Sequence, residues 1–178
     1  LVLVSSTGVI GLPLEMKLIN AGIEAVELSR KGAGEAARAM ITTDPFPKQA
    51  AVELKLAVGT VRIGGMCKGS GMIHPDMATL LVFMTTDAAV EQGFLRQTLG
   101  DAVADSFNMV DIDTDSSTND TCLLLANGAA GNAPLVASSA GADDFAAAVR
   151  HVAVYLAKEI ARDGEGATKL IEVNVSGA

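Results

Sequence analysis

Between Asp143 and Arg162, Phe145, Val149, Val152, Leu156 and Ile160 recur at intervals of three and four residues, the spacing that lines up one face of an α-helix. Such a stripe is stable only against a second apolar layer. Two short apolar runs can supply it: Thr79 to Asp87 (TLLVFMTTD) and Thr121 to Ala126 (TCLLLA) read as buried strands. The expected architecture is therefore α/β (or α+β), a layered sheet-and-helix fold. With aromatic residues at 3% and no Trp, its core must come from Ala, Val, Leu, Ile and Met, whose small volumes suit close helix-on-sheet packing.

The other elements are expected as follows. Leu1 to Val4 is an apolar run ending in Ser5-Ser6-Thr7-Gly8, read as a buried strand delivering a hydroxyl-rich turn. Pro13 opens a helix through Leu14, Leu18 and Ile19 that stops near Gly22, and a second helix spans Gly34 to Met40. Ala51 to Val58 and Val61 to Cys67 flank Gly59-Thr60 as a hairpin, followed by a glycine-rich loop from Gly64 to Gly71. The run from Thr79 is the central strand, with Asp87 capping a helix over Ala88 to Phe107. Lys169 to Val175 is a last strand after Gly164 and Gly166. Strand order is not encoded in any one run.

Composition narrows the function classes. The 178 residues carry 13 Lys plus Arg against 21 Asp plus Glu, a formal net charge of -8, and there is no basic run. Nucleic acid and anionic membranes are therefore unexpected partners. No run approaches a transmembrane span and no basic leader is present, so the expected location is cytoplasmic. The chain opens on Leu1 within an apolar run, which reads as a piece of a longer protein. Cys67 and Cys122 stand 55 positions apart, a spacing that fits two buried thiols rather than a zinc or disulfide framework.

Chemistry-bearing residues concentrate in a few places. Lys68-Gly69-Ser70 is superficially like a phosphate loop but lacks its spacing and following helix. Lys68 suits a substrate carboxylate, or is a solvated loop lysine. His74 beside Pro75 reads as a turn residue or a base, and His151 as a structural helix residue. Thr79, at a loop-to-strand junction after Ala78, is an ordinary strand residue unless cleavage makes it N-terminal, when its own amine becomes a nearby base. Thr7 and Gly8 could stabilise an oxyanion or cap the following segment. Thr42 and Thr43 fit a turn or a ligand clamp, and Glu165 a loop or an ammonium contact. Asp111, Asp113, Asp115 and Asp120 do not follow an EF-hand register, and local side-chain to backbone bonding fits them better than a cation.

Six stretches, SSTGVIGLPLE (5–15), TTDPFPK (42–48), KGSGMIHPDMATLL (68–81), SFN (106–108), STNDTCLLLANG (117–128) and DGEGATKLIEVNVSGA (163–178), together resemble the ornithine acetyltransferase family, the bifunctional glutamate N-acetyltransferases of arginine biosynthesis. The resemblance implies a precursor that cuts its own Ala78-Thr79 bond, making 1–78 the end of an α chain and 79–178 the start of a β chain in the central region of a larger enzyme. It implies Thr79 as nucleophile, Thr7 and Gly8 as the oxyanion hole, and Thr42 (or Thr43), Lys68, Thr79 and Glu165 as contacts to N2-acetyl-L-ornithine and L-glutamate. No metal or resident cofactor is implied, with acetyl-coenzyme A a possible substrate in bifunctional members. The implied assembly is a heterotetramer of two α and two β chains. A self-processing amidohydrolase or aminopeptidase-like enzyme, and an inactive small-molecule-binding module, are the alternatives.

Overall fold

The computed structural model describes residues 2–57, 59–75 and 80–177. A four-stranded sheet in the order β1-β2-β3-β4 is formed by β1 (Lys48–Leu56), β2 (Gly59–Lys68), β3 (Leu81–Thr86) and β4 (Thr121–Ala126). The first three strands are antiparallel neighbours, whereas β3 and β4 run parallel and are joined through helix α3 (Gln92–Ala104). A parallel pair needs such a crossover.

The long helix α4 (Ala142–Arg162) buries Phe145, Val149, Val152, Leu156 and Ile160, the predicted stripe. It packs on β1, β2 and α3. Facing it are Val61, Ile63 and Cys67 of β2 and Val82 and Met84 of β3, all fully buried. Gly65 lies within β2, as the strand expected at Val61 to Cys67 has it, and the glycine-rich loop expected from Gly64 begins only after Lys68. A Cβ on Gly65 would stand 3.0 Å from Leu156 Cδ1 and 3.2 Å from Val152 Cγ1, so the missing side chain sets how closely the helix approaches the sheet.

Other departures have local causes. Helix α3 starts at Gln92 instead of Ala88, because Asp87 is engaged elsewhere: its Oδ1 accepts the Arg62 N–H at 2.6 Å. Glu91 caps the helix instead, accepting from the Phe94 N–H at 2.9 Å. The hairpin turn precedes Gly59 rather than falling on Gly59-Thr60, since Leu56 pairs directly with Gly59; the part of the predicted strand at Val58 lies outside the described residues. The first helix, α1 (Met16–Ala25), starts three residues after Pro13, leaves Leu14 outside and runs through Gly22, and the second, α2 (Ala33–Ala39), lies one residue upstream of the expected Gly34 to Met40.

The strands expected at 1–4 and 169–175 do not form over their described residues. Val2 and Val4 are 86% and 89% exposed and Ile171 82%. A strand requires a neighbouring ladder for its backbone groups, and among the described residues neither segment finds one.

Candidate functional site

The site is built where β2 ends and β3 and β4 begin. Register places Lys68 opposite Leu81 and Leu81 opposite Thr121, so the two ends of the 68–81 stretch and the remote 117–128 stretch stand side by side at one end of the sheet. Lys68 is 4% exposed. Among the described residues its ammonium makes neither an ion pair nor a hydrogen bond. Burial lowers its pKa from the ordinary lysine value, while nearby Asp44 and Asp120 oppose that shift. A buried stem ending in a cation with no partner among the described residues suits a ligand carboxylate.

Behind Lys68 lies an ionic cluster that the sequence reading missed. Lys48 Nζ donates to Asp44 Oδ1 at 2.7 Å and to Asp163 Oδ2, with all three side chains no more than 2% exposed. Asp44 also accepts the Gly69 N–H at 2.7 Å. Burial raises the Asp44 pKa, but the Lys48 hydrogen bond and the Gly69 N–H outweigh it and hold the carboxyl below 3.8. With Lys68, the buried charges among the described residues sum to zero. The cluster ties together the turn at 42–48, the loop after β2 and the end of α4.

Two further contacts close this junction. Thr43 Oγ1 lies 2.8 Å from Ser70 Oγ, so Thr43 rather than Thr42 makes a side-chain contact with the Lys68 loop; Thr42 is exposed and its N–H reaches Asp44 Oδ2 at 3.4 Å. The Glu165 N–H donates to the Ser70 carbonyl at 2.6 Å. Its carboxylate lies over Gly71, where a Cβ would come within 2.7 Å of Oε2. Glu165 itself is exposed.

Thr7, half-buried, and exposed Gly8 line a cleft of about 280 Å³ with Met72, Ser117, Thr118 and Asn119. This brings the Ser-Thr-Gly turn beside the loop 111–120. That loop does bond locally, as expected: Asp111 accepts the Thr114 N–H and Asp113 the Asp115 N–H. It also reaches distant chain, since Asp113 accepts the N–H groups of Met72 and Ile73 and Asp120 accepts that of Leu80. Burial raises the Asp113 pKa, but the Met72 and Ile73 N–H groups leave it below 3.8. Asp120 is shifted upward by burial, against the Leu80 N–H and Lys68. His74 Nδ1 stands 3.3 Å from Asp111 Oδ1 at the surface, and no cluster of metal-ligating side chains occurs among the described residues. Ala78 and Thr79, the predicted cleavage pair and nucleophile, lie outside the described residues. No helix among the described residues is long and apolar enough to cross a membrane.

A sequence model of the ArgJ family matches residues 1–178. The "Arginine biosynthesis bifunctional protein ArgJ" of Symbiobacterium thermophilum is 58% identical over 177 residues, which cover 98% of this chain and 44% of that protein. The protein of the same name from Bacillus subtilis is 51% identical across 100% of this chain and 44% of its own length. The chain thus spans under half the length of these relatives. A crystal structure of arginine biosynthesis bifunctional protein argJ from Bacillus halodurans, 40% identical, covers 48% of this chain and 39% of that one, with a TM-score of 0.46.

Proposed function

Because this chain belongs to the ArgJ family, we propose that it is the central part of a self-processing glutamate N-acetyltransferase, working in the cytoplasm in arginine biosynthesis. The Thr79 hydroxyl attacks the Ala78 carbonyl carbon, and the amide nitrogen leaves as the Thr79 amine. Water then hydrolyses the resulting ester, giving an Ala78 carboxylate and a free hydroxyl on Thr79. Residues 1–78 thereby end an α chain and 79–178 begin a β chain.

The processed threonine takes acetyl from N2-acetyl-L-ornithine. Its Oγ1 attacks the acetyl carbonyl carbon, and its proton passes through the Thr79 amine to the departing ornithine nitrogen. The amine of L-glutamate then attacks the acetyl-threonine ester and restores the hydroxyl. Thr7 and Gly8, at the cleft, are assigned to the oxyanion of both half reactions. Lys68 takes the α-carboxylate common to both amino acids, and Glu165 the ornithine side-chain ammonium. Thr42, or Thr43 through its tie to Ser70, supplies a hydroxyl contact. No resident cofactor takes part in this route, and acetyl-coenzyme A is an alternative acetyl donor. Two α and two β chains form the proposed assembly.

The observation that carries this reading is Lys68: a lysine 4% exposed, without an ion-pair partner among the described residues, on the sheet rung that also holds Leu81, two residues after Thr79. The test is product analysis by the full-length processed protein with acetylornithine, with and without glutamate. N-acetylglutamate formation, together with an acetylated N-terminal peptide beginning at Thr79 when glutamate is withheld, supports transfer. Release of acetate at the same rate in both cases would favour a hydrolase, and no turnover a binding module.

A further inference from the structure

The loop between α3 and β4 holds the chain on both sides of residues 76–79. Upstream, Asp113 accepts the Met72 N–H on Oδ2 at 2.5 Å and the Ile73 N–H on Oδ1 at 2.9 Å, while the Ile112 N–H donates to the Ile73 carbonyl at 2.8 Å. Downstream, Asp120 Oδ1 accepts the Leu80 N–H at 3.0 Å and the Thr121 N–H donates to the Leu80 carbonyl, also at 3.0 Å. Met72 is held at φ 56, a backbone conformation uncommon outside glycine, and the Asp113 carboxylate is the group that grips it there. Every one of these bonds spans about forty residues of sequence, so none is a local turn.

From this arrangement we infer that Asp113 and Asp120 are positioning residues for self-cleavage at Ala78-Thr79, and that Asp120 also positions Thr79 for acetyl transfer. The inference rests on the reading of Thr79 as the nucleophile. The two carboxylates have different duties. Both belong to the downstream piece, but Asp113 grips the upstream piece, so its bonds become contacts between two chains once the bond is cut. Asp120 grips the residue that directly follows Thr79 and keeps that role throughout turnover. A nucleophile misplaced by about 1 Å loses rate without losing substrate affinity, so loss of Asp120 should lower kcat and leave KM in place.

The experiment follows cleavage of the full-length precursor by gel and mass spectrometry, then acetyl-transfer kinetics of the processed enzyme. It compares Asp113→Ala, Asp113→Asn, Asp120→Ala, Asp120→Asn and Thr79→Ala. Asp120→Ala is expected to slow cleavage and lower kcat roughly tenfold, with KM unchanged. Asp120→Asn keeps a carbonyl oxygen for the single Leu80 N–H and should restore both rates. Asp113→Ala is expected to slow cleavage roughly three- to tenfold, and because the Met72 it holds lines the cleft with Thr7 and Gly8, its processed enzyme should lose some turnover, but less than Asp120→Ala loses. Asp113→Asn should fall between, having one acceptor oxygen where the carboxylate used two. Wild-type cleavage and turnover in both alanine variants, with Thr79→Ala blocked, would overturn the inference alone. Equal losses in Asp120→Ala and Asp120→Asn would overturn the positioning role in favour of charge. Cleavage of Thr79→Ala would overturn the reading beneath it and the inference together.

Discussion

Replacing Lys48 by methionine should destabilise the fold by an amount set by the two carboxylates it leaves behind. Lys48 is 1% exposed, and its ammonium bridges Asp44 and Asp163, which are 6% exposed each. Methionine fills much of the space of the lysine stem, including its packing near the Phe46 ring, so little of the loss comes from a cavity. Asp44 keeps the N–H groups of Gly69 and Thr42, whereas Asp163 loses the side-chain partner it has among the described residues. Removing one member of a buried ionic cluster costs about 3–5 kcal/mol. With a urea dependence of about 2 kcal/mol/M, the unfolding midpoint should fall by roughly 1.5–2.5 M, followed by circular dichroism. Combining Lys48→Met with Asp44→Asn and Asp163→Asn removes the unpaired charges and should recover at least about half of that loss. A midpoint within about 0.3 M of wild type for Lys48→Met, or a triple variant no more stable than the single one, would refute the assignment of these charges as a coupled cluster.

Three other outcomes follow from the same packing and electrostatics. Gly65→Val should cost about 1–3 kcal/mol in the same urea assay, because its Cβ would meet Leu156, Met84 and Val152 at 3.0 to 3.2 Å. Folded Asp44 and Asp113 bind their protons more weakly than the unfolded chain does. Their stabilisation is therefore fully present above 3.8 and disappears as pH falls through the lower folded values. Asp44→Asn should accordingly lower stability more at about pH 6 than at about pH 2.5, by urea unfolding at each pH. Burial pushes the Cys122 thiol up to about 12 and the Cys67 thiol higher still, so a maleimide at neutral pH should label both only after denaturation, read by intact mass.

The elements that a single run of sequence can specify were legible in it. Helix α4 announced itself because Phe145 to Ile160 keep one face on a 3.6-residue period, and β4 because TCLLLA is apolar and bounded by polar loops, although as the last strand of the sheet it is only half-buried rather than buried as expected. The terminal run 1–4 is as apolar and 169–175 alternates apolar with polar residues, yet neither forms a strand over its described residues. A strand's stability resides in its neighbour, which the run itself does not encode. The start of α3 shifted for a related reason: Asp87 has the chemistry of a cap, but the Arg62 N–H, 25 residues away, claims it.

The candidate site divides in the same way. Lys68, Glu165 and the Ser-Thr-Gly turn were legible as motifs, and the structure brings the first two to one junction through Ser70 and Gly71. The Asp44–Lys48–Asp163 cluster was not, because Lys48 and Asp163 lie 115 residues apart and no spacing rule links them. The clue available was a Lys within a proline-rich turn at Pro45 and Pro47, a place where a buried cation needs a carboxylate. Asp113 and Asp120 were disguised in a loop whose composition is fully accounted for by local turns; their reach to Met72, Ile73 and Leu80 is a property of the fold.

The central claim is that Thr79 becomes a chain terminus. Intact mass and N-terminal sequencing of the protein expressed from the full-length reading frame, alongside Thr79→Ala, test it most directly. The account predicts two pieces from the wild type, the second beginning TLLVF, and a single uncut chain from the variant. A wild-type protein that stays whole under folding and assay conditions, or a Thr79→Ala chain that is cut at the same bond, would contradict it.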